Sequence, residues 1–249
     1  MKIVIRNTAH EAAQQVADLI AGHLTAKPDI VMGLATGETM RPVYTHLRTL
    51  FEAGDVPSSA FTSFNLDEFS GVPPTHPGSF NAYMMEALFT HIADAEGRCF
   101  LPDGMADDPQ MAAAAYEAKI AHYGGIDLQL LGIGRNGHIG FNEPGTPFDS
   151  RTAAVELSQQ TRDVMTGFDS NRPHRAITMG IGTIMEARHC LLLATGEAKA
   201  AAVGAMLSHP PSLACPASAL QAHTDLMIVL DRQAAGRLTE HQLLEVETC

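Results

Sequence analysis

Ile126-Asp-Leu-Gln-Leu-Leu-Gly-Ile133, running straight into Gly134-Arg-Asn136-Gly137-His138, decides the fold. A short, mostly apolar run reads as a strand buried on both faces, the mark of a parallel sheet. The glycines after it read as the loop at its carboxyl end. Working outward, the same pattern recurs. Lys2–Arg6, Asp29–Leu34 and Ala60–Leu66 precede it as strand candidates, and Ala176–Met179, Cys190–Thr195 and Asp225–Leu230 follow. Helix-period stretches lie between them: from a Thr8 cap through Ala26, from about Met40 to Ala53, then Ser79–His91, Pro109–Tyr123, Glu197–Leu207 and Pro216–Ala222. Strand–helix alternation implies parallel pairing through right-handed crossovers. The expected fold class is α/β: a single-domain layered parallel sheet flanked by helices, a modified Rossmann-like arrangement. No linker, repeat or low-complexity tract divides the chain, so residues 1–249 are expected to form one domain.

Composition narrows the functions. The 249 residues are 45% hydrophobic, enough for a sizeable core, and only 18% charged. Lys+Arg 16 against Asp+Glu 28 gives a formal net charge of −12. Nucleic-acid binders need a positive footprint, so nucleic acid is not an expected partner. A small anion in a locally positive pocket remains compatible. The opening MKIVIRNTAH lacks the apolar core of a signal peptide, and no apolar run approaches a membrane span. Cys99, Cys190, Cys215 and Cys249 lie far apart without a CxxC pair, so neither zinc nor redox spacing is present. Reduced thiols, a cytoplasmic location, no metal and no cofactor are the expectations.

In parallel sheets ligands bind at the carboxyl ends of the strands, and four polar clusters fall there. Gly33-Leu-Ala-Thr36-Gly37-Glu38-Thr39 lies between a strand and a helix. Glycines admit close approach of backbone to an anion, and free N–H groups at a helix start face it. The pattern is neither GxGxxG nor Walker, which argues against dinucleotides and ATP; by itself a plain turn explains it equally well. Asn65-Leu-Asp67-Glu68-Phe69 ends the next strand. Adjacent carboxylates alternate faces, so one of the two is expected to enter a given pocket, where apolar walls make it a base. Gly132 to Pro144 is the most specific stretch: a glycine turn holds His138, and Glu143 lies close enough in sequence to orient it, a pair suited to proton transfer near neutral pH. Thr195-Gly196-Glu197-Ala198-Lys199 places a cation in a first helical turn. With no GxSxG elbow and no cysteine beside a base, nucleophilic hydrolysis is disfavoured. Base, His–carboxylate pair and anion cradle together suit proton transfer on a phosphorylated small molecule.

These stretches resemble the glucosamine-6-phosphate deaminase (isomerase) family from the strand before Gly33 to Asp231. The Asn65-Leu-Asp67-Glu68 and Gly137-His138…Phe141-Asn142-Glu143-Pro144 motifs carry the likeness, and Ala176–Thr183 and Pro216–His223 extend it. The resemblance implies metal-free aldose–ketose isomerisation with loss of ammonia. Asp67 would move the C2 proton to C1, and His138, oriented by Glu143 beside Asn136, would open the sugar ring. Thr36, Gly37, Glu38, Thr39 and Lys199 would hold the phosphate, with Glu68 and Gly137 also at the substrate. The alternatives are galactosamine 6-phosphate or a related amino-sugar phosphate as substrate, a 6-phosphogluconolactonase-like hydrolase, and a sugar-phosphate sensor without chemistry. The lactonases usually follow the His with Ser-Leu-Phe-Pro rather than Phe-Asn-Glu-Pro.

Three departures from the family pattern stand out. Asn136 replaces an Asp that often precedes the Gly-His. The arginine that commonly holds phosphate falls at Gly167, leaving Arg41, Arg172 or Arg175 to substitute. Glu38 stands where a small residue is usual. In addition, Ala153 and Val155 occupy positions that are basic in members activated by N-acetylglucosamine 6-phosphate, and the chain stops short of their longer C-terminal segment. Hyperbolic kinetics are therefore expected. The family includes monomers and hexamers, so a homo-oligomer stays open.

Overall fold

A computed structural model describes residues 1–92, 94–163, 165, 167–168, 172–208 and 210–239. Cys249 lies outside them. Among the described residues ten strands are formed: β1 (Lys2–Arg6), β2 (Val31–Leu34), β3 (Thr62–Asn65), β4 (Asp67–Phe69), β5 (Cys99–Phe100), β6 (Leu128–Leu131), β7 (Ala153–Glu156), β8 (Arg175–Thr178), β9 (His189–Ala194) and β10 (Leu226–Asp231). Seven of them make one sheet in the order β1-β10-β9-β6-β2-β3-β5, and every pairing in it is parallel. Strands β2, β3 and β6 are buried along their whole length. This is why β2 and β6 read as mostly apolar runs rather than alternating ones, whereas β3 carries buried Thr62, Ser63 and Asn65.

The helices cover this sheet. α1 (Ala9–Ala26) begins where predicted: the Thr8 hydroxyl accepts a hydrogen bond from the Glu11 amide at 3.1 Å. Its inward face is Ala12, Ala13, Val16, Ala17, Ile20, Ala21 and Leu24. Burying Ile20 or Leu24 contributes about 1.5–3 kcal/mol each. α2 (Arg41–Ala53) ends at Gly54 in the left-handed conformation. α3 (Phe80–Ala87) gives way to a separate 3-10 turn at Phe89–His91, shorter than the Ser79–His91 helix expected. α4 (Pro109–His122), α5 (Gln159–Asp163), α6 (Ile181–Met185) and α7 (Ala200–Ser208) follow. Glu197–Lys199 and Pro216–Ala222 are 3-10 helices. The main core runs from Ile3 to Ala235, and a smaller cluster of Phe69, Val72, Leu157 and Ala176 lies apart from it. Among the described residues no helix is long and apolar enough to cross a membrane.

The second sheet is unexpected. β4, β8 and β7 form a small antiparallel unit, so Ala176–Met179, read as part of the parallel set, belongs elsewhere. A single residue, Leu66, separates β3 from β4. Its amide donates to the Leu34 carbonyl in the large sheet and its carbonyl accepts from the Met179 amide beside the small one. The chain thus changes sheets within one residue, and Asp67 is the first residue across.

Candidate active site

β9, β6, β2 and β3 are consecutive in the large sheet and parallel. The four polar clusters therefore emerge side by side along one edge, where neighbouring strands lie ~4.8 Å apart.

Asp67 is opposite Thr178 in the β4–β8 ladder and is 6% exposed. Its carboxylate receives no hydrogen bond from any described residue. Burial, and secondarily the neighbouring Glu68, push its pKa up to about 8. Gly140 passes directly over it. A Cβ there would lie 2.9 Å from the Thr178 hydroxyl and 3.6 Å from Asp67 Oδ2, with φ at +55°. Only glycine allows this approach, which brings the loop bearing His138 against the carboxylate.

Glu68 faces the other way. Its carboxylate accepts from the amides of Phe69 (2.9 Å), Phe80 (3.0 Å) and Asn81 (2.8 Å), and so anchors the N-terminus of α3 to β4. Burial raises its pKa while these amides pull it back. Three backbone donors thus give Glu68 a structural role that the sequence reading did not assign to it.

The loop after β6 closes through Gly134 N–H to His138 O (2.8 Å) and Gly137 N–H to Gly134 O (3.1 Å). The His138 ring lies on Gly134, where a Cβ would sit 2.3 Å from it. Its Nδ1 faces Glu143 Oε1 at 3.7 Å, an ion-pair rather than a hydrogen-bond distance. Glu143 also accepts from Asn136 Nδ2 (2.6 Å), the Thr161 hydroxyl and Ser158 Oγ (3.4 Å). The facing imidazole first, then Thr161 and Asn136, hold its pKa down to about 2 against burial that would raise it. Asn136 Oδ1 accepts from the His138 amide at 3.2 Å, so this side chain braces both members of the pair. Asn142 Nδ2 ties the loop to the carbonyls of Ile139 and Met179, each at 2.8 Å. Asn142 and Thr178 lie within the motifs read from sequence but were given no role, whereas Ser158 and Thr161 were missed as contributors. Their spacing from the motifs carries no signal, since the fold alone brings them in.

Thr36, Gly37, Glu38 and Thr39 lead into α2, with Gly37 at φ +107° and its carbonyl accepting from the Tyr83 hydroxyl at 2.8 Å. No described residue takes the Thr36 or Thr39 hydroxyl. The Glu38 side chain turns outward, 82% exposed, and pairs with Arg41 at 3.1 Å. Arg41 also pairs with Glu86 at 3.1 Å and lies over the Tyr83 ring, so its charge is already compensated. Lys199 Nζ donates to the Ile133 carbonyl at 2.6 Å, at the end of β6. Gly137 meets the Cys215–Ala217 segment: its carbonyl accepts from the Ala217 amide.

Gly167 has no room for a side chain. Its φ is +81° and a Cβ would lie 2.9 Å from Gly78 Cα. Arg172 and Arg175 do not take its place. With His174, Ser70 and Gly71 they line a separate cavity of ≈ 450 Å³. That cavity lies at the end of β4 away from Asp67, where Ser70 N–H bonds Arg175 O. Among the described residues no group of three His, Cys, Asp or Glu side chains is placed to hold a metal.

A family model described as glucosamine-6-phosphate isomerases/6-phosphogluconolactonase matches residues 5–228. The chain belongs to this family. Within it, a glucosamine-6-phosphate deaminase of Cellvibrio japonicus is 47% identical over 243 residues, covering 96% of this chain and 92% of that one. The Bacillus velezensis enzyme of the same name is 43% identical, covering 95% and 99%. A solved monomeric glucosamine-6-phosphate deaminase superposes with a TM-score of 0.91 at 41% identity, covering 96% of this chain and all of that one. The 6-phosphogluconolactonase of Trypanosoma cruzi, at 23% identity and TM-score 0.77, shares the fold.

Proposed function

We propose that the protein converts glucosamine 6-phosphate and water into fructose 6-phosphate and ammonia. One observation carries the reading: Gly140 sets the loop of the His138–Glu143 pair directly against the buried Asp67 carboxylate, which no described residue bonds. His138 moves a proton from the C1 hydroxyl to the ring oxygen, opening the sugar, while the Glu143 carboxylate stabilises the imidazolium formed on the way. Asp67 then takes the C2 proton and returns it to C1, leaving a ketimine at C2. Water adds there and ammonia leaves. An isolated carboxyl with a pKa near 8 is a poor base at neutral pH, but the ammonium at C2 of the substrate lies beside it and favours the ionised form. The Thr36–Thr39 loop and Lys199 hold the phosphate, and this remote anchor orients C1 and C2 against Asp67.

Ammonia and ketose phosphate are measured in parallel from glucosamine 6-phosphate, galactosamine 6-phosphate and 6-phosphogluconolactone. Stoichiometric release from the first, with little from the others, is expected. Acid release from the lactone without ammonia from either amino sugar would overturn the reading. Turnover of galactosamine 6-phosphate alone would move the substrate, not the chemistry.

A further inference from the structure

Arg135 and Asn136 are the two central residues of the Gly134–Gly137 turn. Asn136 is committed to Glu143 and the His138 amide. Arg135 is exposed and makes no hydrogen bond or ion pair with any described residue. Lys199 is docked on the Ile133 carbonyl, two positions before Arg135 in the chain, and no carboxylate pairs with it either. Burial first, and then the Arg135 charge, lower the Lys199 pKa, as a like charge held nearby must.

Neither of these neighbouring cations is paired with a carboxylate of a described residue. The chain's acids outnumber its bases, 28 to 16. Three arginines elsewhere do neutralise carboxylates, Arg41 with Glu38 and Glu86, Arg151 with Glu117 and Glu186, Arg175 with Glu156, while Arg48 and Arg162 meet only neutral partners. The anion cradle reaches the same strand end. Met40, at the start of α2, packs on Gly132, so the Thr36–Thr39 loop borders it.

We propose that Arg135 joins Lys199 in gripping the substrate phosphate, opposite the Thr36–Thr39 loop. The assignment rests on the sugar-phosphate reading above. It makes one turn serve both ends of an extended sugar phosphate, Asn136 bracing the His138–Glu143 pair at C1 and Arg135 meeting the anion at the far carbon. It also names the arginine that fills the role left empty at Gly167, which Arg41, Arg172 and Arg175 are placed too poorly to fill.

The test compares wild type, Arg135→Gln and Arg135→Lys. Steady-state kinetics on glucosamine 6-phosphate are expected to show KM raised roughly tenfold or more in the Gln variant, with a much smaller change in kcat and partial recovery in the Lys variant. Inorganic phosphate supplies a readout that needs no turnover: its stabilising shift of Tm is expected in wild type and lost in the Gln variant. Unchanged KM and an unchanged phosphate shift overturn the proposal, as does a fall in kcat alone, which would place Arg135 with the His138 turn. If the phosphate shift depends on Arg135 but wild type releases no ammonia, the anion site stands and the deaminase reading falls.

Discussion

Asp67 lies at the head of a buried strand where no described residue bonds its carboxylate, whereas Glu143 lies in a loop and receives bonds from Asn136, Thr161 and Ser158. The same functional group is pushed up to about 8 in one place and down to about 2 in the other. Desolvation without partners favours the neutral acid; a facing imidazole and donated hydrogen bonds favour the anion. Such divergence separates roles. A carboxyl that changes protonation near neutrality suits proton transfer, and one that never does suits fixing an imidazole.

The harshest way to break this contrast is Asp67→Asn. Ammonia release is expected to fall about 10²- to 10⁴-fold, the usual reach of a general base, with glucosamine 6-phosphate binding by calorimetry largely kept. Stability should move the opposite way. A carboxyl whose folded pKa lies above its usual 3.8 favours the unfolded chain progressively from about pH 3.8 to pH 8. Denaturant titrations should therefore show the Asn variant more stable than wild type by a gap that opens over that window. Its size is on the order of a few kcal/mol.

The pH profile of kcat/KM sharpens the comparison next. It is expected to rise about tenfold per pH unit towards a bend near pH 8, and that bend should vanish in the residual activity of Asp67→Asn. A bend kept in the Asn variant would assign the ionisation to another group.

Glu143→Gln comes third. It keeps the shape but not the charge, so turnover is expected to drop about tenfold to a hundredfold as the imidazole loses its partner. Stability at pH 7 should fall by about 1–2 kcal/mol. Because the folded pKa is below the usual 4.5, that loss is complete above pH 4.5 and shrinks as pH falls towards 2, the reverse of the Asp67 case. The smallest effect belongs to Thr161→Val, which removes one hydroxyl donor to Glu143. About 1 kcal/mol of stability and a few-fold of kcat are expected, with KM unmoved; a KM change alone would place Thr161 at the substrate instead.

The parts of the molecule legible from sequence are those whose causes are local. α1 runs from the Thr8 cap through Ala26 as read, because cap and apolar period sit in one stretch. The four clusters fall along one edge because apolar runs and helices alternate, and alternation dictates parallel strands. The small sheet was illegible. β4, β7 and β8 have three or four residues each, too few for a period, and pair only through distant partners. For the same reason Thr161 and Ser158 could not be connected to Glu143, nor Arg135 to Lys199. That only one of Asp67 and Glu68 enters a pocket follows from strand alternation; that Glu68 serves α3 does not, since its partners Phe80 and Asn81 are brought back by a loop.

The single-residue crossing at Leu66 has a further consequence. On a strand, sliding the ladder by one step turns every side chain over. Were β4 to pair with β8 one position out, the carboxyl now clasped by the α3 amides would swing toward the His138 loop and the bare one would jam against the helix. Fidelity of pairing in a three-residue strand, rather than the identity of either acid, is what decides which of two neighbours faces the His138 loop.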